Sequence, residues 1–72
     1  MKMSAIETSM AGSVWKVLVK VGDRVEEGQD VVILESMKME IPIAAESNGT
    51  VKEIKVNEGD FVNDGDVIVE IE

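Results

Sequence analysis

The stretch "GSVWKVLVKVGDRVEEGQDVVILE", residues 12–35, decides the fold, because its pattern returns at residues 49–72. The second copy reads "GTVKEIKVNEGDFVNDGDVIVEIE" and aligns with the first without a gap, at an offset of 37 residues (49 − 12). All six glycines of the chain fall into register as pairs: Gly12 with Gly49, Gly22 with Gly59, and Gly28 with Gly65. This register predicts a twofold internal repeat with halves of about residues 1–37 and 38–72.

Each half of the repeat predicts short β-strands. The segments that follow Gly12 and Gly49 alternate apolar with other residues at period two, and β-branched runs close each copy. In "VGDRVEEG" and "EGDFVNDG" a Gly-Asp pair opens a tight turn and a second glycine closes it. A further strand, "IPIAAE", contains Pro42, which predicts an edge or a strand start, where no ladder N–H is needed. The sequence therefore predicts an all-β domain.

The composition limits size, chemistry and partners. Seventy-two residues suffice for one domain, and the absence of cysteine and histidine removes the thiol nucleophile, the commonest general base and the commonest transition-metal ligands. We therefore predict no catalytic residue and no metal site. A net charge of -8 disfavours nucleic acid as a partner. No apolar run resembles a signal peptide or a membrane span, so a cytoplasmic location without a membrane partner is expected. The protein is also expected to be a monomer.

The segment that joins the two halves reads "ESMKME", residues 35–40. Glu35 ends the first copy, so the repeat predicts that Lys38 lies at a projecting tip between the halves. Most lysines are simply solvated, but this one stands between Met37 and Met39. Two exposed thioethers would suit docking to a partner, whereas strand alternation could instead turn both methionines into the core. The sequence leaves these two alternatives open.

Lys38 is not expected to act as a nucleophile by itself. A self-activating lysine needs burial or neighbouring positive charge, and the charged neighbours here, Glu35 and Glu40, favour the protonated amine. Lys38 is therefore interpreted as the substrate of a partner enzyme that supplies the base.

The joint and its flanks resemble the biotinyl/lipoyl attachment domains. The segment "ESMKME" is similar to the biotin-acceptor signature E-A-M-K-M, and "GDRVEEGQDVVILESMKME" resembles the sequence that leads into the acceptor hairpin of that family. The resemblance extends from about Ile6 to Ile71 and is closest to the short, stand-alone attachment proteins. It implies a flattened eight-stranded barrel, or sandwich of two four-stranded antiparallel sheets, with pseudo-twofold symmetry.

The resemblance also implies a role for Lys38. A biotin protein ligase would join it to biotin through an amide, and the carrier would move a carboxyl group between a biotin carboxylase and a carboxyltransferase. The residues implied in recognition by these enzymes are Glu35, Ser36, Met37, Met39 and Glu40.

Ser36 departs from the alanine common in biotin domains and is closer to lipoyl domains. The alternative is therefore a lipoyl carrier, with lipoic acid as cofactor, for 2-oxo-acid dehydrogenase or glycine-cleavage chemistry. A third hypothesis, an unmodified adaptor barrel, is disfavoured by a lysine flanked by methionines. The two aromatic residues of the chain, Trp15 and Phe61, are expected to be packing residues.

Overall fold

The computed structural model describes residues 3–72, and this range contains eight β-strands and no helix. The strands are β1 (Ser4–Glu7), β2 (Gly12–Val17), β3 (Arg24–Val25), β4 (Asp30–Ser36), β5 (Met39–Ala44), β6 (Gly49–Ile54), β7 (Phe61–Val62) and β8 (Val67–Ile71). The prediction of an all-β chain is confirmed. Since the described range has no helix, it has none long and apolar enough to cross a membrane.

The strands form two four-stranded antiparallel sheets that follow the internal repeat. One sheet has the order β5-β4-β2-β7 and is called the tip sheet here, because the joint at residues 37–38 connects its first two strands. The other has the order β1-β8-β6-β3 and is called the opposite sheet. A shift of 37 residues turns each strand of one order into the corresponding strand of the other. Each sheet takes two strands from each half of the chain, so the halves are interlocked.

Aliphatic side chains fill the space between the sheets. β-branched residues suit a pleated, half-buried surface, and alternation along each strand turns every second side chain inward. The side chains with no exposed surface belong to Val25, Val31, Val32, Leu34, Ile68 and Val69. Seven repeat-related pairs contribute to this core, among them Val14 with Val51, Val25 with Val62, and Val32 with Val69.

The Gly-Asp turns have the geometry that the sequence indicates. Gly22 and Gly59 both have φ of +96°, a value that favours glycine, and the next residue, Asp23 or Asp60, accepts a backbone N–H bond of 2.9 Å. A Cβ placed on either glycine would meet nothing within 4 Å. Conformation alone therefore selects glycine at these turns. Pro42 also lies where predicted, since β5 is an edge strand.

The expectation that Trp15 and Phe61 are packing residues is wrong. Trp15 is 41% exposed and Phe61 is 66% exposed. Phe61 precedes the buried Val62, so alternation turns its ring outward. Trp15 follows the buried Val14, so alternation turns its ring outward too, and the shift in the pairing of β2 with β4 between Val14 and Lys16 leaves Lys16 exposed as well. The aliphatic core is filled without either aromatic ring.

Candidate functional site

The joint between the repeat halves is a two-residue β-hairpin turn. Strands β4 and β5 stay paired up to Ser36 and Met39, which leaves Met37 and Lys38 as the two turn residues. Their φ angles are 52° and 65°, as a type I′ turn requires, and this turn type matches the twist of the flanking strands. The predicted position of Lys38 at a chain reversal is confirmed.

This turn is strained. Type I′ turns favour Asn-Gly because both central residues have positive φ, and a side chain in the left-handed region costs about 1 kcal/mol or more. Within residues 3–72, Met37 and Lys38 are the only non-glycine residues with positive φ. Strain of this kind persists at functional sites that the surrounding structure holds in place. The chain thus keeps a methionine and a lysine where glycine or asparagine would be more stable.

Both methionines that flank Lys38 are exposed. Met37 is 89% exposed and Met39 is 58% exposed, so the hypothesis that they belong to the core is wrong. Met39 does lie on the same side of β5 as the buried Ile43, but exposure increases along the strand from Ile43 through Ile41 to Met39. The hairpin therefore extends past the core, and it presents two thioethers and one amine to solvent.

Two acidic residues stand directly across the hairpin from each other. Glu35 and Glu40 form the second cross-strand pair from the turn, next to the pair of Ser36 and Met39, and both are exposed. Like charges in this arrangement destabilise a hairpin, and within the described residues neither carboxylate forms an ion pair. Stability therefore does not explain these acids. Ser36, the remaining residue of the predicted recognition set, is half-buried opposite Met39.

Gly12 supports the hairpin from the neighbouring strand, a role that the repeat alone did not reveal. A Cβ on Gly12 would lie 2.9 Å from the carbonyl oxygen of Glu35 and 3.5 Å from Cβ of Ser36. The absence of a side chain thus lets β2 approach β4 closely where the tip begins. A glycine within a strand pattern is the sequence signal for such an approach.

The tip is suited to covalent attachment and not to enclosure of a ligand. Lys38 supplies a primary amine in open solvent, and two shallow grooves found elsewhere on the surface include no residue of the range 35–40. In the described part of the chain, no group of three or more acidic side chains is placed to hold a metal ion. An amide on the amine would meet no steric barrier from the hairpin, so the tip fits a cofactor joined through a lysine.

A small two-sheet sandwich that presents one lysine on an exposed, strained hairpin defines a class, the cofactor-carrier domains. Residues 1–71 match the family model described as "Biotin-requiring enzyme", the biotin/lipoyl domain. The chain belongs to this biotinyl/lipoyl attachment family, and the resemblance noted from its sequence is confirmed.

Relatives of two kinds are similar to the chain. The biotin/lipoyl attachment protein of Bacillus subtilis (strain 168) is 62% identical over 66 residues, which cover 92% of this chain and 90% of that protein. The biotin carboxyl carrier protein of Streptococcus mutans is 52% identical over 62 residues, 86% of this chain and 48% of that protein.

The fold recurs in a much larger enzyme. The crystal structure of the Kluyveromyces lactis urea carboxylase matches with a TM-score of 0.93 and 35% identity, over 100% of this chain and 6% of that one. The predicted sandwich of two four-stranded antiparallel sheets is thereby confirmed as the family architecture.

Proposed function

We propose that this chain is a biotin carboxyl carrier and that Lys38 is the residue to which biotin is attached. One observation carries the proposal: the lysine lies in the exposed type I′ turn of a chain that belongs to the biotinyl/lipoyl attachment family. The relatives named as an attachment protein and as a carrier protein support a carrier without catalytic residues of its own. The proposed carrier is a single domain over residues 1–72.

The chemistry of attachment assigns different tasks to the chain and to its ligase. An amide bond forms between Nζ of Lys38 and the carboxyl carbon of biotin, while the bond from that carbon to its ATP-derived leaving group breaks. The amine of a lysine is ordinarily protonated at neutral pH, so it must first lose a proton. A base of the biotin protein ligase accepts that proton. The chain contributes position, because the hairpin holds the amine away from the core.

The loaded carrier serves as a handle. When bound, biotin supplies a ring that accepts a carboxyl group and gives it up again. The rigid sandwich keeps the tip accessible, and the lysine stem adds reach, so the cofactor stays at a high effective concentration near each enzyme. Biotin carboxylase and carboxyltransferase are the proposed partners, and Glu35, Ser36, Met37, Met39 and Glu40 are the proposed recognition residues.

The proposal also includes an oligomeric state and a cellular location. A net charge of -8 makes copies of the chain repel one another, which supports a monomer, and it favours partners with basic surfaces. We place this monomer in the cytoplasm with the enzymes that load and unload it.

Intact mass tests the attachment. The protein is incubated with ATP, biotin and a biotin protein ligase, beside a Lys38→Arg variant that keeps the charge but cannot form the amide. We expect one biotin increment on the original chain and none on the variant. A parallel reaction with a lipoyl ligase distinguishes the second cofactor of the family. An increment from lipoic acid alone, or an increment that survives in Lys38→Arg, would contradict the proposal.

A further inference from the structure

The outer faces of the two sheets differ at equivalent positions of the repeat. On the tip sheet the outward residues include Trp15, Ile33 and Phe61, and we call these three residues with Glu35 and Glu40 the tip face. The opposite sheet carries charged residues at the three matching positions: Lys52, Glu70 and Arg24. Both central strands even share the bulge, which lies at Trp15 in β2 and at Lys52 in β6. The backbone plan thus does not require aromatic residues on the tip sheet.

The apolar part of the tip face is continuous with the acceptor hairpin. Cross-strand pairing places Glu40, Glu35, Ser13 and Phe61 in one row across the four strands. Ile33 lies in the adjacent outward row, paired with Lys16 next to Trp15. Strands in a sheet are about 4.8 Å apart, so Phe61 lies about two strand spacings, or ~10 Å, from Glu35 in the direction across the sheet. A protein that contacts the hairpin from this side would also meet the aromatic residues.

Charged residues of the opposite sheet form ion pairs, whereas the carboxylates of the tip face form none among the described residues. The three ion pairs found within residues 3–72 all involve the opposite sheet or its edge. Lys52 pairs with Glu72 at 3.4 Å, and Lys55 pairs with Glu53 at 3.3 Å and with Glu70 at 3.9 Å. On the tip face, Glu35 and Glu40 have no such pair among the described residues. Lys16, which is next to Trp15 in β2, lies over the ring of Trp15 with its amine 5.4 Å from the ring centroid.

We propose that the tip face is the docking surface for the biotin protein ligase, through an apolar pocket for Trp15 and Phe61 flanked by cations that face Glu35 and Glu40. Charge complementarity selects a basic rim on the enzyme, because the two carboxylates are exposed, adjacent and form no ion pair with a described residue. Reach selects the ligase among the enzymes of the proposed function, on which this inference rests. The ligase must reach a lysine that does not yet carry biotin and whose stem has only four carbons. Its surface must therefore contact the sheet beside the turn. A biotin carboxylase or a carboxyltransferase instead binds biotin at the end of a longer arm, made of the lysine stem and the cofactor.

The distribution of binding energy in interfaces sets the expected effect. Exposed aromatic residues at the centre of an interface supply a large share of the affinity, whereas charges at the rim mainly steer association. Removal of both rings should therefore raise KM. Removal of both acids should weaken the dependence of the rate on ionic strength.

The test compares rates of biotinylation by one biotin protein ligase on three chains: the original, Trp15→Ser/Phe61→Ser, and Lys52→Ser/Glu53→Ser on the opposite sheet as the matched control. Both variants keep the net charge at -8, because the first loses no charge and the second loses one of each sign. We expect kcat/KM to fall at least tenfold in the first variant, mainly through KM, and to stay within twofold in the control. Thermal melting establishes that each variant folds. The graft Trp15→Lys/Phe61→Arg uses the residues that the opposite sheet already accommodates, should the serine variant unfold.

Each outcome decides one question. Equal kcat/KM in the original chain and a folded aromatic variant would overturn the docking surface, while biotin on both would leave the proposed function intact. An equal fall in the opposite-sheet control would also overturn it, because the effect would then not belong to the tip face. A failure of the original chain to accept biotin would instead refute the proposed function.

Discussion

The tip sheet and the opposite sheet share one backbone plan but present different outer surfaces. Buried positions keep the same residue type in both halves, as with Val14 and Val51 or Val32 and Val69. Outward positions diverge, from Trp15 and Phe61 on one sheet to Lys52 and Arg24 on the other. The retained buried residues are therefore explained by the fold, whereas the aromatic residues at outward positions have to be explained by something else. For the tip face we infer that partner recognition is the reason.

The same comparison applies to the connections. Strands β4 and β5 are joined by the strained turn at residues 37–38, whereas their counterparts, β8 and β1, pair without such a turn. The close approach of a glycine occurs in both places: Gly12 lies against Glu35, and Gly49 lies against Glu72 and Ile71. The two glycines thus offer a matched pair for testing how much of the structure at the tip serves stability.

The largest effect is expected from Gly49→Ala. An added Cβ would clash with Cγ2 of Ile71 and lie 2.9 Å from the carbonyl oxygen of Glu72, and Ile71 is only 1% exposed. Overpacking of this kind destabilises a core by about 3 kcal/mol, a large share of the stability of a small domain. Urea unfolding of the variant measures the loss directly. An unchanged midpoint would show that β6 and β8 can shift apart locally, enough to fit the added Cβ, without a loss of stability.

Gly12→Ala sharpens the comparison, because its Cβ would meet the Glu35 carbonyl oxygen at 2.9 Å but no buried side chain. We expect a smaller loss of about 1–2 kcal/mol, together with a lower kcat/KM for biotinylation because Glu35 and Ser36 must move. Gly49→Ala, measured below its melting temperature, should retain the original kcat/KM. If the two variants slow the ligase equally, the approach of β2 to β4 has no special role at the tip.

The tight turns should respond alike in both halves. Gly22→Val and Gly59→Val each place a β-branched residue at φ of +96° in open space, so strain is the only cost. Each substitution should lower the free energy of unfolding by about 2 kcal/mol, and the two values should agree within about 0.5 kcal/mol. A loss at one turn only would show that the halves differ in stability where their geometry is the same.

Most structural features that occur in both copies of the repeat could be predicted from the sequence. Period-two alternation and paired glycines indicated the strands and the turns, and the joint between copies indicated the tip. Pairing between strands of different halves came from the family resemblance, because alternation alone does not specify partners. The outward positions of Trp15 and Phe61 were missed because large aromatic side chains were expected to be buried, although each lies next to a buried valine, where alternation turns it outward. The strain at Met37 was also missed, because the segment lacks the Asn-Gly signature that announces a type I′ turn. The roles of Lys38 and its flanking residues stay predictions until a ligase assay is done.

The smallest expected change in stability comes from Met37→Asn, and its sign distinguishes strain from packing. Met37 is 89% exposed with φ of 52°, so its side chain contributes little burial while its backbone occupies a region that asparagine tolerates better. The substitution should stabilise the domain by up to about 1 kcal/mol, or roughly 4–8 °C in Tm for a domain of this size. Met39→Asn is the matched control, because Met39 lies in β5 with no positive φ, and asparagine is unfavourable in a strand.

Both methionine variants should be poorer substrates for the ligase, because each removes a thioether from the tip. Met37→Asn would then be more stable and less active than the original chain, whereas Met39→Asn would be less active without any gain in Tm. A gain in stability together with a loss of activity is what we expect if the turn is strained because its residues serve recognition. A lower Tm for Met37→Asn would mean that the methionine stabilises the turn through contacts and that the strain does not govern its stability. An undiminished kcat/KM in both variants would remove the methionines from the recognition set and leave the acids and the aromatic face to carry it.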